Sequence, residues 1–476
     1  MSDFVLAIDQ GTTGTKLHRL YTDGRFQTLD GVVHRQILPQ PGWVEHDPEE
    51  LIGHLNNCIG NAGNAKAIGI ANQGETVVAW DAHTKRAIYN AVVWQDARTN
   101  DVIERLKQEG HEETTLARAG LPLDPYFSAS KLRWFLDHVD DAKLLHKQGR
   151  LRFGTSDSFF LDRLANVFAT DVTTASRTSL MNLETLQWDP VLCGLFGVPV
   201  ECLADIRATA DDFGSIGKTP VTANVVDQQA ALFGHGCRQA GDAKITFGTG
   251  AFALCVTGAK PLRDVASGLL PTIAWRLGSA APAYALDGGV YNAASAVNWA
   301  HGLGLFTDYA EIDSFAAASA ISRDLAFVPA LSGLGCPYWD RSAAGLWLGL
   351  GLDTTKADMM QALLEGVALR AGEVIQAMAR LAPIGNRISI DGGLAKNTYF
   401  ASFVADVLDR EITIPASTEL TGLGTAQLAL IGAGLATLET LPPSPAPKAR
   451  LTAQNKLPDE HRMKFRTAVG RSRNWR

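Results

Sequence analysis

Residues 4–20, FVLAIDQGTTGTKLHRL, join a short apolar run to a loop rich in glycine and threonine. The run at 4–8 predicts one buried strand, and Asp9 is expected to follow at its end. The two glycines of the loop allow a tight turn that brings backbone N–H groups close to a guest, and the threonine hydroxyls and Lys16 add donors and positive charge. This combination suits phosphate oxygens, with Asp9 placed beside a hydrated Mg²⁺. A plain β-hairpin with a solvated aspartate is the alternative, since glycine turns are common.

A second strand with a turn rich in glycine and threonine occurs about half a chain later. Residues 244–254 read KITFGTGAFAL, which predicts a strand, a Gly-Thr-Gly turn and a second strand. Neither turn has the spacing of a Walker A loop, and no G-x-G-x-x-G follows the first strand. The recurrence predicts a duplicated fold with one phosphate-binding turn from each half and a domain boundary near residues 232–242.

Size and composition are those of an ordinary globular protein. The chain has 476 residues, of which 46% are hydrophobic and 20% charged, and its net charge is −7. Nothing in this balance favours nucleic acid or an anionic membrane as a partner. Six scattered cysteines without a CxxC pair predict buried thiols in a reducing compartment. Without a signal-peptide pattern or a long apolar run, a cytoplasmic location is expected.

Polar clusters follow several predicted elements. NQGET at 72–76 comes directly after the predicted strand 67–71, and ligands of open α/β sheets bind at the carboxyl ends of strands. Asp227 and Gln228 open a helix of small residues. Residues 170–178 predict a loop of high polar density.

Five motifs in order resemble those of the FGGY carbohydrate kinase family: DQGTT at 9–13, YFSASKLRW at 126–134, DQQAALFG at 227–234, GTG at 248–250 and DGG at 391–393. Within that family the chain is most similar to the glycerol kinases, through segments such as PGWVEHDP, VVWQDART and TDVTTASRT. The resemblance implies an α/β fold with two ribonuclease H-like domains, of the actin and hexokinase ATPase type, around a central cleft. It implies an N-terminal domain at 1–236, a C-terminal domain at 237–440, and a linker with a C-terminal helix at 441–476.

The resemblance also implies roles for individual residues. Asp227 matches the catalytic aspartate, which accepts the proton of the substrate hydroxyl as that hydroxyl attacks the γ-phosphate of ATP. The residues expected around the polyol or sugar are Gly74, Glu75, Trp94, Tyr126, Asp227 and Gln228. The residues that match nucleotide contacts are Thr12, Thr13, Gly14, Lys16, Thr249, Gly288, Asn292, Gly393 and Asn397. Asp9 matches the carboxylate on the magnesium side.

Plainer roles exist for some of these residues. Asp227 has the position of a helix N-cap, and Tyr126 that of a packing residue at a helix start. Asn292 is compatible with an ordinary helix residue. Trp94 either lines the apolar side of the substrate or belongs to the core.

Position 74 departs from the family pattern. Glycerol kinases carry arginine before the glutamate of this loop, as NQRET, whereas this chain has Gly74. Losing a charged hydrogen-bond partner costs roughly 1.5–3 kcal/mol, or about ten- to a hundredfold in affinity for glycerol if nothing compensates. The space left by the arginine can also admit a further carbon. A larger polyol or a ketose of four or five carbons is therefore an alternative acceptor.

The main prediction is an ATP-dependent kinase for a small polyol or sugar, with Mg²⁺, whose lobes close over the substrates. The competing prediction is a non-catalytic sugar sensor with the same ATPase fold. Asp9, Asp227 and both Gly-Thr turns are intact, which argues against lost catalysis. Homo-oligomerisation is common in the family and is a further possibility for this chain.

Overall fold

The computed structural model describes residues 2–60 and 63–476. Its first half contains the following strands: β1 (Phe4–Gln10), β2 (Gly14–Tyr21), β3 (Phe26–Val33), β4 (Glu45–His46), β5 (Ile68–Asn72), β6 (Val77–Asp81), β7 (Ala91–Val92), β8 (Leu151–Thr155), β9 (Ala169–Asp171), β10 (Asp205–Arg207), β11 (Ser215–Ile216) and β12 (Thr219–Val226). The helices of this half are α1 (Pro48–Gly60), α2 (Asn100–Gln108), α3 (Glu112–Arg118), α4 (Ser128–His138), α5 (Asp140–Lys147), α6 (Ser156–Leu164), α7 (Val172–Ala175), α8 (Pro190–Phe196) and α9 (Asp227–Gly234).

The second half alternates long strands with helices in the same manner. Its strands are β13 (Ala243–Phe247), β14 (Ala251–Gly258), β15 (Leu270–Trp275), β16 (Ala283–Val290), β17 (Ala326–Val328), β18 (Leu346–Leu348), β19 (Arg387–Gly392), β20 (Glu411–Ile414) and β21 (Ala449–Leu451). Its α-helices are α10 (Ala294–Gly302), α11 (Lys356–Leu381), α12 (Thr398–Leu408), α13 (Leu420–Gly432) and α14 (Asp459–Ser472). Short 3₁₀ turns occur at Val200–Cys202, Val265–Ser267, Tyr309–Ile312, Ile321–Arg323 and Leu394–Lys396.

Two large sheets share one topology. Their strand orders are β11-β12-β5-β1-β2-β3 and β15-β16-β14-β13-β19-β20-β21. In the first sheet β1 is antiparallel to β2 and parallel to β5, and in the second β13 is antiparallel to β14 and parallel to β19. The glycine-threonine turns, residues 11–13 and 248–250, connect the two antiparallel pairs. The predicted duplication is therefore confirmed, with one such turn at the carboxyl end of an inner strand in each sheet.

Local patterns in the sequence explain why these elements form where they do. The side chain of Asp47 accepts the N–H of Glu49 at 2.9 Å, so α1 begins at Pro48 with the predicted cap. The long helix α11 buries the predicted apolar stripe: Met360, Leu364, Val367, Ala371, Val374 and Met378. The six cysteines are buried free thiols, as expected.

Helices α9 and α13 cross at two glycines and join the halves of the chain. A Cβ on Gly234 would lie 2.0 Å from the carbonyl oxygen of Leu420, and a Cβ on Gly424 would lie 1.9 Å from that of Ala230. Only glycine permits so close an approach of two helix backbones. Through this crossing α13, although it follows the second sheet in the chain, lies against β1, β5 and β12 of the first sheet. The predicted boundary at 236/237 falls in the loop between α9 and β13, but α13, a helix of the second half, returns to the first sheet.

Two local expectations are wrong. Asp9 lies within β1, where it pairs with Lys16 of β2, and does not follow the strand. Residues 170–178 contain the end of β9 and the helix α7, because the Asp171 side chain caps the N–H groups of the following turn. Residues 441–476 contain the helix α14 and also a short strand, β21, which pairs with β20. Among the described helices, none has the length and apolar character needed to cross a lipid bilayer.

Candidate active site

A cavity of about 140 Å³ lies between the two halves of the chain. Its lining includes Thr12 of the first turn and Phe252, which comes just after the second turn. The six residues expected around the substrate all border it: Gly74, Glu75, Trp94, Tyr126, Asp227 and Gln228. Sites for drug-sized ligands measure roughly 300–1,000 Å³, so this cavity suits a much smaller guest.

Asp227 is the first residue of α9 and lies half-buried in the wall of this cavity. The structure places the N-cap of α9 at Val226, and the Asp227 side chain accepts the N–H of Gln228 at 2.7 Å. Burial raises the pKa of Asp227 to about 6, while the Gln228 N–H, Lys244 and Arg177 oppose that rise. A carboxylate whose pKa lies close to neutrality can take up a proton from a hydroxyl and release it again.

Glu75 reaches the cavity from a backbone conformation that side-chain-bearing residues rarely adopt. Its φ is +60°, in the loop that follows β5. Its Oε1 accepts the Nε–H of Arg177 at 2.7 Å. Burial raises the pKa of Glu75 to about 7 although Arg177 opposes the rise. The strained backbone and the ion pair together hold this carboxylate at the cavity wall.

Two aromatic rings form another part of the wall. Trp94 and Tyr126 meet edge to face, with ring centroids 5.4 Å apart. The indole Nε1–H of Trp94 donates to Oγ1 of Thr12 at 2.9 Å. Trp94 therefore connects the first glycine-threonine turn to the substrate-side wall, and both rings border the cavity.

Asp9 is close enough to Asp227 for the charges of the two carboxylates to interact. Burial raises the pKa of Asp9 to about 7, the negative charge of Asp227 adds to the rise, and Lys16 lowers it. Lys16 donates to both carboxylate oxygens of Glu419, at 2.8 and 2.9 Å. One potential ligand atom from each of Asp9, His18 and Glu419 lies within 4.8 Å of the others. The predicted phosphate-binding lysine is thus held by a glutamate at the start of α13.

The residues expected around the nucleotide have diverse surroundings. The carbonyl of Thr249 accepts the N–H groups of Ala293 and Ser295, so α10 begins against the second turn. Asn292 accepts the N–H of Ser332, and Asn397 caps α12 by accepting the N–H of Phe400. These two side chains already have structural partners.

Four further residues expected around the nucleotide have different amounts of space around them: Gly14, Gly288, Gly393 and Thr13. A Cβ on Gly14 would lie 2.6 Å from the Val32 carbonyl oxygen, and a Cβ on Gly288 would lie 2.5 Å from Cγ1 of Val374 in α11. Gly288 therefore faces the core side of its sheet. The space beside Gly393 is open. Thr13 accepts the N–H of His34 through its backbone carbonyl.

Family models match nearly the whole chain. The N-terminal domain of the FGGY family of carbohydrate kinases matches residues 4–234, and the C-terminal domain of that family matches residues 243–433. The chain belongs to the FGGY family of carbohydrate kinases. It is accordingly a phosphotransferase that acts on an alcohol group of a polyol or sugar and uses ATP.

Individual relatives of this FGGY kinase span its full length. A glycerol kinase from Citrifermentans bemidjiense is 42% identical and covers 91% of both chains. One from Rhizorhabdus wittichii is 40% identical over 100% of this chain and 98% of its own. The crystal structure of Plasmodium falciparum glycerol kinase with ADP matches with a TM-score of 0.91 at 29% identity, covering 99% of this chain and 98% of that one. A ligand-bound xylulose kinase from Lactobacillus acidophilus, 20% identical, shares the fold with a TM-score of 0.87.

Sequence reasoning missed five residues of this FGGY kinase that line the cavity: Arg177, Val226, Gln229, Phe252 and Asp287. Two of them, Arg177 and Asp287, are charged. Nη2 of Arg177 lies 3.2 Å from Oδ2 of Asp287, so the pair joins the first half of the chain to the second. The segment TDVTTASRT contributed to the resemblance, but its arginine received no role. An arginine within a segment of mostly small polar residues was the available signal, and its partners lie too far along the chain to be seen in a local pattern.

Proposed function

We propose that the protein transfers the γ-phosphoryl group of ATP to a hydroxyl of a small polyol, with Asp227 as general base and Mg²⁺ as metal. The observation that supports this most is the position of Asp227, which is half-buried in the wall of a small polar cavity lined by residues of both halves of the chain. Thr12 of the first glycine-threonine turn lines this cavity, and the second turn ends two residues before the lining residue Phe252. Such turns present backbone N–H groups to phosphate oxygens.

In the proposed reaction the polyol oxygen attacks the γ-phosphorus. A new P–O bond forms, the bond to the β–γ bridging oxygen breaks, and ADP leaves. Asp227 takes the proton of the attacking hydroxyl, which typically contributes about 10²–10⁴-fold to the rate. Glu75, Tyr126 and Gln228 orient the hydroxyls, and alignment and neutralisation of charge supply the rest. Gln228 is itself held in place, because its Oε1 accepts the Nζ–H of Lys244 at 2.7 Å.

The residues around Asp9 fit a magnesium ion. Asp9 is a half-buried carboxylate whose pKa is raised by desolvation and by the charge of Asp227, so a divalent cation would add favourable positive charge beside the two carboxylates. Oxygen ligands of this type are those Mg²⁺ prefers. When bound, the ion supplies neutralisation of phosphate charge. Asp9 would hold it on the phosphate side of the cavity.

The identity of the acceptor depends on position 74. Relatives of about 40% identity are named glycerol kinases, which makes glycerol one candidate. Gly74 provides no guanidinium, and a Cβ there would lie only 2.6 Å from Cγ2 of Val226. Val226 therefore occupies part of the space beside Gly74. The replacement of the family arginine by glycine was expected to leave that space open. A polyol larger than glycerol remains the alternative acceptor.

Coupled measurement of ADP release tests the proposal against a panel of glycerol, erythritol, threitol, xylitol and simple ketoses. We expect turnover with at least one polyol and its loss in Asp227→Asn, while calorimetry still detects ligand binding. Asp140→Asn is the matched control, because the Asp140 side chain is 98% exposed. A sensor would bind sugar without releasing ADP, and its binding would barely change in Asp227→Asn. That outcome would reject the kinase assignment.

A further inference from the structure

Arg177 connects two carboxylates that come from opposite lobes of the cavity. It follows α7 and is 5% exposed. Its Nε–H donates to Glu75 at 2.7 Å, and its Nη2 lies 3.2 Å from Oδ2 of Asp287 in β16. No other lysine or arginine among the described residues lines this cavity. The guanidinium is therefore the one fixed positive charge in the cavity wall.

The hydrogen bonds of this pair are incomplete. Arginine carries five N–H donors, and an ionised aspartate accepts at both oxygens. Within residues 2–60 and 63–476, Nη1 of Arg177 and Oδ1 of Asp287 are buried and have no hydrogen-bond partner. Buried polar groups in folded proteins are normally paired, and leaving one unpaired costs free energy. A hydroxyl is both an acceptor and a donor, so one hydroxyl can satisfy a guanidinium and a carboxylate together.

Gly74 explains why this pair matters for specificity. An arginine at position 74 would have to displace the branched Val226, whose Cγ2 lies 2.6 Å from the place of a Cβ. The cavity can therefore obtain a guanidinium only from position 177. The remaining polar wall, formed by Glu75, Tyr126 and Gln228, is what the proposed function assigns to the hydroxyls near the reacting carbon.

We propose that Arg177 and Asp287 form a hydroxyl-binding subsite that selects a four-carbon polyol over glycerol. This inference rests on the proposed kinase function and names its substrate class. The pair binds the hydroxyl of a four-carbon polyol that is farthest from the phosphorylated carbon. Glycerol has no fourth carbon and therefore lacks this hydroxyl. It acts on specificity, and Asp227 remains the base.

Steady-state kinetics with erythritol, threitol and glycerol test the subsite. We expect the wild-type kcat/KM for one tetritol to exceed that for glycerol by about tenfold or more, the effect of one charged hydrogen bond. Asp287→Asn and Arg177→Lys should each lower this ratio about tenfold. Asp287→Asn preserves volume, so it keeps the test valid if Arg177→Lys fails to fold.

Arg118→Lys and Asp189→Asn are the matched controls. They alter a pair with Nη1 to Oδ2 at 2.8 Å that does not line the cavity, and the tetritol-to-glycerol ratio should stay within about twofold of wild type. A wild-type preference for glycerol, or a ratio unchanged in Asp287→Asn, would overturn the subsite while leaving the kinase assignment intact. No ADP release with any polyol would overturn the kinase assignment, and the subsite with it.

Discussion

Replacing Asp227 by asparagine should abolish turnover and also stabilise the ligand-free protein at neutral pH. Burial raises the pKa of Asp227 from 3.8 to about 6. The folded protein thus holds the proton more tightly than the unfolded chain, and stability is lost as the pH rises from about 4 through 6. A shift of roughly two units, at about 1.36 kcal/mol per unit, corresponds to about 3 kcal/mol at pH 8. Asparagine is uncharged, so the folded variant does not lose this free energy at pH 8.

Thermal unfolding without ligands measures the effect. With about 2.1 cal/mol/K of unfolding entropy per residue, a chain of 476 residues has a total of about 1 kcal/mol/K. Asp227→Asn should therefore melt about 3 °C above wild type at pH 8. At pH 4.5 the folded wild type is already largely protonated at this group, and the difference should shrink to about 1 °C.

Turnover in the same preparations should fall by about 10²–10⁴-fold, the usual contribution of a general base. Asp140→Asn, which changes a 98% exposed carboxylate, should alter neither Tm nor turnover. An Asp227→Asn protein that melts at or below the wild-type temperature at pH 8 would refute the burial argument. One that retains turnover would refute the role as base.

Three further tests are a pH profile of activity, a substitution at Asp9 and a substitution at the crossing of α9 and α13. Because burial raises the pKa of Glu75 to about 7 and that of Asp227 to about 6, kcat/KM should fall as the pH drops from 8 to 5.5, and a flat profile would contradict this. Asp9→Asn should raise the Mg²⁺ concentration for half-maximal rate by about tenfold or more, with calorimetric polyol binding nearly unchanged; an unaltered Mg²⁺ requirement would exclude Asp9 as a ligand. Gly424→Ala should lower stability by about 1–3 kcal/mol in denaturant unfolding, since its Cβ would lie 1.9 Å from a carbonyl oxygen, whereas Gly53→Ala meets nothing within 4 Å and should not.

The sequence predicts most reliably those features that neighbouring residues determine. The cap at Asp47, the two glycine-threonine hairpins and the apolar stripe of α11 are each contained in a short window and are confirmed. The family motifs allow prediction of site residues that lie far apart in the sequence. The structure brings the residues expected around the substrate to one cavity. Local chemistry and ordered motifs therefore identify the fold and much of the wall around Asp227.

Contacts between distant segments could not be predicted in this way. Lys16 was expected at phosphate, but it pairs with Glu419, which lies 403 residues away. Arg177 reaches Glu75, 102 residues away, within the first half, and it reaches Asp287 only because the two halves meet. No window of sequence contains all three residues. The return of α13 to the first sheet depends in the same way on a helix crossing. Such pairings need the three-dimensional arrangement, which a pattern of spacing does not contain.

Phosphorus NMR of the purified protein with ATP, Mg²⁺ and a polyol tests most directly whether this cavity is a site of phosphoryl transfer. With a three- or four-carbon polyol we expect a phosphomonoester signal that grows in step with ADP, and no such signal from Asp227→Asn. ADP that accumulates together with inorganic phosphate alone, or a phosphomonoester formed equally fast by Asp227→Asn, would contradict the assignment of Asp227 as the base that activates the polyol.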